Sequence, residues 1–271
     1  MSIELVRRLP YDHPYRWDGT LFGSPKLWQP SQIATDLWLD AEDTSTITLN
    51  GSTVSQWNDK SGNNRNAVQA TAVNQPTYNT TGLNGKPALD TSAGSRAMRS
   101  SFGSTITVDA INVFVVFKAT AIVGGAQLFD VRNSANGLPL FDDSASTGFG
   151  ARVRNDSSVL TGLTSFGSNT TNNNLSSYSF QNGLIENRLN GVGRTASASG
   201  SVTCDRIGIF GSGISAPSAT SAQAVLGEMV VVLSTVSATD TQRVEGYLAW
   251  KWGLEANLPV DHPYKNAPPT A

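Results

Sequence analysis

Ser177-Tyr178-Ser179-Phe180-Gln181-Asn182-Gly183-Leu184-Ile185-Glu186-Asn187-Arg188-Leu189 is two short β-type runs around an Asn-Gly pair. Asn-Gly supplies the two consecutive positive φ values of a tight hairpin turn. The segment therefore reads as antiparallel strands over 177–181 and 184–189. Outward from it the same texture recurs: runs rich in β-branched and aromatic residues, separated by turn residues. Candidate strands are Asp36–Ala41, Thr46–Leu49, Thr53–Trp57, Ala88–Thr91, Thr105–Val108, Ile111–Ala119, Gln127–Val131, Thr147–Arg154, Ser158–Thr161, Arg206–Phe210 and Gln223–Leu233. Asn50-Gly51, Asn84-Gly85, Asn136-Gly137 and Asn190-Gly191 punctuate them. No helix follows each strand, as a parallel α/β sheet would need, so the pattern predicts a two-sheet antiparallel sandwich.

Composition agrees. Ser (31), Thr (26), Asn (21) and Gly (25) exceed a third of the 271 residues, which suits many polar turns. Twenty-two aromatic residues exclude wholesale disorder. The net charge of -2 gives no basic field to hold a polyanion, so nucleic acid is not an expected partner. The longest apolar runs, Ile111–Phe117 and Met229–Leu233, fall far short of the roughly 18 residues that cross a bilayer, so no membrane partner is expected. The N-terminal stretch has no apolar core of a secretory signal, which predicts synthesis in the cytoplasm without export. The single cysteine, Cys204, excludes an internal disulfide and reads as a packed small residue.

One helix is predicted over about 240–252, with Thr239 as cap, Gln242 completing a capping box, and Val244, Tyr247, Leu248 and the Lys251 stem on one face. Trp250 and Trp252 cannot share a face, so one is expected to be partly exposed. Three regions follow: an extended arm over 1–30, a sandwich over 31–257 that includes the helix, and an extended Pro-rich tail over 258–271. The ends are related. Leu9-Pro10-Tyr11-Asp12-His13-Pro14-Tyr15-Arg16 matches Leu258-Pro259-Val260-Asp261-His262-Pro263-Tyr264-Lys265 at six identical positions plus one basic exchange, and both histidines of the chain lie in these copies. Arg7, Arg8, Asp12, His13, Tyr15, Arg16, Trp17, Phe22, Trp28, Asp261, His262 and Tyr264 are the candidate partner-docking residues. The alternative is that each copy is a structural turn with an aromatic anchor.

Catalytic chemistry is thin. With both histidines in terminal Pro-rich segments and no Gly-x-Ser-x-Gly elbow, neither a triad nor a histidine acid–base pair is readable. Glu186, Glu228, Glu245 and Glu255 are scattered and form no readable glycosidase pair. No enzyme, no catalytic residue and no cofactor is expected. Asp40, Glu42, Asp43 and Asp59, with Asn63 or Asn64, offer oxygen ligands to calcium but lack EF-hand spacing; the alternative is turn capping. Trp57 is the sequence's best candidate for stacking on a sugar, against the alternative that it ends a strand and packs inside.

Three blocks carry a family resemblance: Leu37-Trp38-Leu39-Asp40-Ala41 with Thr46-Ile47-Thr48-Leu49; Val54 to Asn63 running on to Gln75-Pro76-Thr77-Tyr78 and Gly82 to Pro87; and Glu245 to Leu254 ending in Leu258-Pro259 and His262-Pro263-Tyr264. They resemble the concanavalin A-like, laminin G-like domains of bacterial and tailed-phage proteins. The resemblance implies an all-β, two-sheet antiparallel jelly roll with one C-terminal helix. Where that pattern usually carries an aromatic, Leu89-Asp90-Thr91 stands instead, which predicts a less buried strand. It further implies a binding or assembly module. With sticky arms at both ends, the expectation is a non-enzymatic structural protein on the exterior of a tailed-phage virion. A head decoration or cement protein docking on capsid or other virion proteins, with self-association, comes first. A tail or fibre adhesin for host glycan is the alternative, and a sandwich-fold glycosidase a lesser one.

Overall fold

A computed structural model describes residues 26–121, 126–133, 140–143, 150–162, 172–211 and 222–271, with the backbone alone for 140–143 and Leu160. Seventeen strands occur in these residues: β1 Leu37–Asp40, β2 Ile47–Asn50, β3 Thr53–Trp57, β4 Ala67–Val68, β5 Thr77–Leu83, β6 Lys86–Asp90, β7 Met98–Val108, β8 Ile111–Ala121, β9 Phe129–Arg132, β10 Leu140–Asp143, β11 Ala151–Arg154, β12 Leu160–Gly162, β13 Asn174–Gln181, β14 Leu184–Leu189, β15 Val192–Ser197, β16 Val202–Ile209 and β17 Gln223–Val232. A single α-helix, α1, spans Ala238–Trp252.

All the pairings are antiparallel. One layer runs β15, β14, β13, β8, β17, with β1 and β6 side by side on the far edge of β17 and β5 beyond β6. The other runs β12, β11, β10, β9, β16, β7, β4, β3, β2. A single register pair, Thr53 with Thr77, joins them through β3 and β5. The architecture is an antiparallel sandwich.

The alternation of side chains explains the layering. Along β8, Ile111, Val113, Val115 and Phe117 point into the main core between the sheets. Phe114 and Val116 point the other way, into a second core closed by α1. Likewise β17 sends Leu226, Met229 and Val231 inward and Val230 and Val232 to the helix. Covered on both faces, these two strands read as near-continuous apolar runs.

The expected strands and helix are present among the described residues, with differences, and residues 147–149 of the expected 147–154 strand lie outside them. The helix begins at Ala238, capped by Ser237, whose side chain accepts from Asp240 N–H, rather than by Thr239 with Gln242. Asp240, three residues after Ser237, also accepts from the Ser237 hydroxyl at 2.8 Å. Trp252 is fully buried and Trp250 partly exposed, which fits their two-residue spacing. β6 is not less buried: Leu89 and Thr91 are closed off, because β6 pairs with β17 and the Thr91 hydroxyl bonds the carbonyls of Ala222 and Ala224. β15, absent from the sequence reading, is an almost wholly exposed edge with no apolar alternation to detect.

The C-terminal tail is also corrected. It does not reach outward but folds back through turns, and Thr270 makes a β-bridge with Leu27. Trp28 N–H donates to Pro269 and Ala271 N–H to Lys26.

Candidate functional site

The residues singled out from sequence fall in three places. Trp57 lies in the main core with no exposed surface, so it cannot stack on a sugar; that candidate is withdrawn in favour of packing. Arg7, Arg8, Asp12, His13, Tyr15, Arg16, Trp17 and Phe22 lie outside the described residues. Trp28 is buried, edge-on to Tyr247 with ring centroids 6.1 Å apart.

His262 and Tyr264 occupy a socket on α1, whereas Asp261 is exposed. His262 is 6% exposed, and its Nε2 lies 3.2 Å from Glu245 Oε2. Tyr264 N–H donates to His262 Nδ1, so Nε2 carries the proton toward the carboxylate. Arg188 and Ser177 also donate to Glu245, each at 2.7 Å. Burial pushes the Glu245 carboxyl up, but these hydrogen bonds and the Arg188 charge outweigh it and hold it below the usual range. The Tyr264 ring lies against Gly246, where a Cβ would come within 2.6 Å, and Trp250 donates to the Tyr264 carbonyl. Pro259 packs on Gly191 at the β14–β15 turn. Lys265 Nζ donates to the carbonyls of Glu255, Ala256 and Leu258, closing the turn on itself. Two of the C-terminal docking candidates are thus engaged inside their own chain.

The acids offered to calcium are likewise engaged. Asp40 sits 2.7 Å from Lys251 and 2.8 Å from Lys60, which also reaches Asp43. Glu42 pairs with Lys86, and Asp59 accepts from the backbone of Trp38, Ser61 and Arg65. Asn63 donates to the carbonyls of Thr35 and Asp36. Among the described residues no cluster of three or more His, Cys, Asp or Glu side chains could hold a metal ion. Beneath them Glu228, fully buried, accepts from Trp38, Tyr247 and Trp252 and pairs with Lys251 at 2.7 Å. This is a seam between sheet and helix, closed to ligands.

An open concavity lies elsewhere, at the turn end of the first layer. Four turns converge there: Asp109 between β7 and β8, Asn182-Gly183 between β13 and β14, Ala198-Ser199-Gly200 between β15 and β16, and Thr235 between β17 and α1. They enclose a cleft of about 260 Å³, floored by Phe180. The hairpin turn has both positive φ values expected of Asn-Gly, 53° and 76°. The side chains of Asp109, Asn182, Ser199 and Thr235 make no hydrogen bond among the described residues. A carboxylate, an amide and two hydroxyls, all on exposed residues, offer donors and acceptors, with no cation among them. Asp109 is the sole acid of the cleft lining, whereas glycoside hydrolysis needs two facing carboxyl groups. None of these residues except the Asn-Gly turn stood out in the sequence, since the four turns are separated by up to 126 positions and only the folded topology gathers them.

No protein-family model matches the chain, and no curated protein matches it. Solved structures do. A botulinum neurotoxin serotype D binding domain superposes with a TM-score of 0.55 at 12% identity, covering 78% of this chain and 50% of that one. A serotype G binding domain gives 0.54 at 10% identity, again over 78% and 50%. The chain therefore spans about half the length of these toxin domains. Domain 4 of AbnA, a GH43 extracellular arabinanase from Geobacillus stearothermophilus solved in complex with arabinotriose, gives 0.54 at 10% identity over 76% of this chain and 95% of that domain. At such identities the likeness is one of fold, and it is the sandwich that this chain shares with them.

Proposed function

We propose that this chain is a non-catalytic carbohydrate-binding module whose turn-end cleft takes a saccharide unit. The observation that carries this reading is the cleft itself, where Asp109, Asn182, Ser199 and Thr235 have no hydrogen-bond partner among the described residues. Sugar hydroxyls both donate and accept, and a charged acceptor beside an amide and two hydroxyls meets that demand. The size suits one or two sugar rings rather than a long chain lying in a groove. Support comes from the domain of similar fold that was solved with arabinotriose. In the tailed-phage setting implied by the sequence resemblance, the module is a tail or fibre adhesin that presents this cleft to host glycan. The head-decoration reading keeps as docking candidates only those within residues 1–25 and the exposed Asp261, because Trp28, His262 and Tyr264 are engaged within the chain.

A glycan microarray probed with the full chain tests this, followed by titration of the best ligand, with arabino-oligosaccharides included. The expected result is a defined glycan class whose affinity falls about tenfold or more in a D109A/S199A variant of unchanged melting temperature. Absence of glycan binding, or binding indifferent to that double substitution, overturns the proposal.

A further inference from the structure

The socket on α1 has a second sequence able to fill it. In the resident segment, the side chains that meet the socket are Leu258, Pro259, His262 and Tyr264, and Lys265 closes the turn. The upstream copy keeps the first four unchanged as Leu9, Pro10, His13 and Tyr15, and replaces Lys265 with another cation, Arg16. Its one non-conservative difference, Tyr11 for Val260, falls at a position that is 90% exposed and touches nothing in the socket. Identity between the copies is thus retained at all four socket contacts, and also at the exposed Asp261 and Pro263, which shape the turn.

Both copies are tied to the same point. Leu27 and Thr270 form a β-bridge, and in each case the copy precedes its half of the bridge. Four residues separate Lys265 from Thr270, and ten separate Arg16 from Leu27. An extended chain covers about 3.3–3.6 Å per residue, so the upstream tether reaches about twice as far as the downstream one. Every place the resident segment occupies is within its range.

We infer that residues 9–16 are a second, interchangeable plug for the Glu245 socket of the same chain, so that one socket is served by two plugs. The shorter tether and its covalent continuity with α1 favour the resident plug. The upstream plug takes the socket when residues 258–265 are drawn away or weakened. This inference is independent of the turn-end cleft and of glycan binding.

Three full-length variants test it: H13A/Y15A, H262A/Y264A, and the four substitutions together, compared by thermal unfolding and sedimentation. The expected result is a strongly non-additive set. H13A/Y15A moves the melting temperature by less than about 1 °C and H262A/Y264A by about 2 °C, whereas the combination lowers it by about 6 °C or more. A synthetic peptide of residues 6–18, added in trans to the combined variant, raises its melting temperature, and the same peptide with alanine for His13 and Tyr15 does not. All variants sediment as the wild type does. Additive shifts, or a combined variant unmoved by the peptide, overturn the inference. A dimer formed by H262A/Y264A alone also overturns the same-chain assignment, since the plug then enters a second copy.

Discussion

Gly246 shows how one missing Cβ decides a local structure. The Tyr264 ring occupies the space that a side chain there would need, with contacts of 2.6–2.8 Å to an added Cβ, and the backbone of α1 cannot yield. G246A is expected to expel Tyr264, loosen His262 from Glu245, and cost about 1–3 kcal/mol by overpacking, read as a lower denaturant midpoint. Cys204 is the opposite case, a residue whose chemistry is suppressed by its place. Burial, helped by the Asp205 charge, pushes its thiol up to about 12. At pH 8 the native chain should therefore resist alkylation by iodoacetamide over hours and react fully once unfolded, as followed by mass spectrometry.

Among the elements, α1 is bound to the sheet by charge as well as by apolar contact. Lys251 bridges Asp40 and Glu228 at 2.7 Å each, with three aromatic N–H or O–H donors completing the Glu228 shell. Removing the cation alone leaves a fully buried carboxylate without its counter-charge. K251M is expected to cost about 3–5 kcal/mol, and adding E228Q to recover part of that loss, both measured by chemical denaturation. These elements differ in how far the sequence discloses them. The Asn182-Gly183 hairpin and the apolar run of β8 are legible because turn chemistry and two-sided burial leave local marks. The helix face is legible for the same reason, but its cap is not, since Ser237 and Thr239 both offer a hydroxyl and the packing of Val236 in the second core selects the earlier one. β15 and the cleft are invisible. The first has no apolar face, and the second is a meeting of four turns that only the sheet order brings together. His262 was legible as special through its repeat, yet its partner Glu245 carried no mark, looking in sequence like any helical surface acid.

On the scale of the whole molecule, the buried carboxylates set an acid limit. In Asp40, burial pushes the pKa up, but Lys251 and Lys60 pull it below its ordinary 3.8. Glu245 is likewise held below 4.5. A carboxyl whose folded pKa is depressed binds fewer protons in the folded than in the unfolded chain. Its stabilising contribution is complete above its unfolded value and is lost as the pH falls through its folded value. Glu228 has the opposite sign, because burial, opposed by Lys251, leaves its pKa above 4.5. The two signs separate by group: stability that depends on Glu245 is complete above about pH 4.5 and is lost as the pH falls through its lower folded value, whereas Glu228 contributes in the opposite sense. E245Q should lower the melting temperature at neutral pH and flatten its fall below about pH 4.5, and an acid response left unchanged by E245Q would contradict the assignment.

The Leu27–Thr270 bridge gives the molecule a mechanical character. Lys26 and Ala271 lie side by side, joined by the Ala271 N–H to Lys26 carbonyl bond, with the Trp28 to Pro269 bond next in line. Tension between these two ends peels the bonds apart one at a time instead of shearing them together. Such a seam yields early and spares the sandwich behind it, so a pull applied at Lys26 and Ala271 would be felt first at the α1 socket.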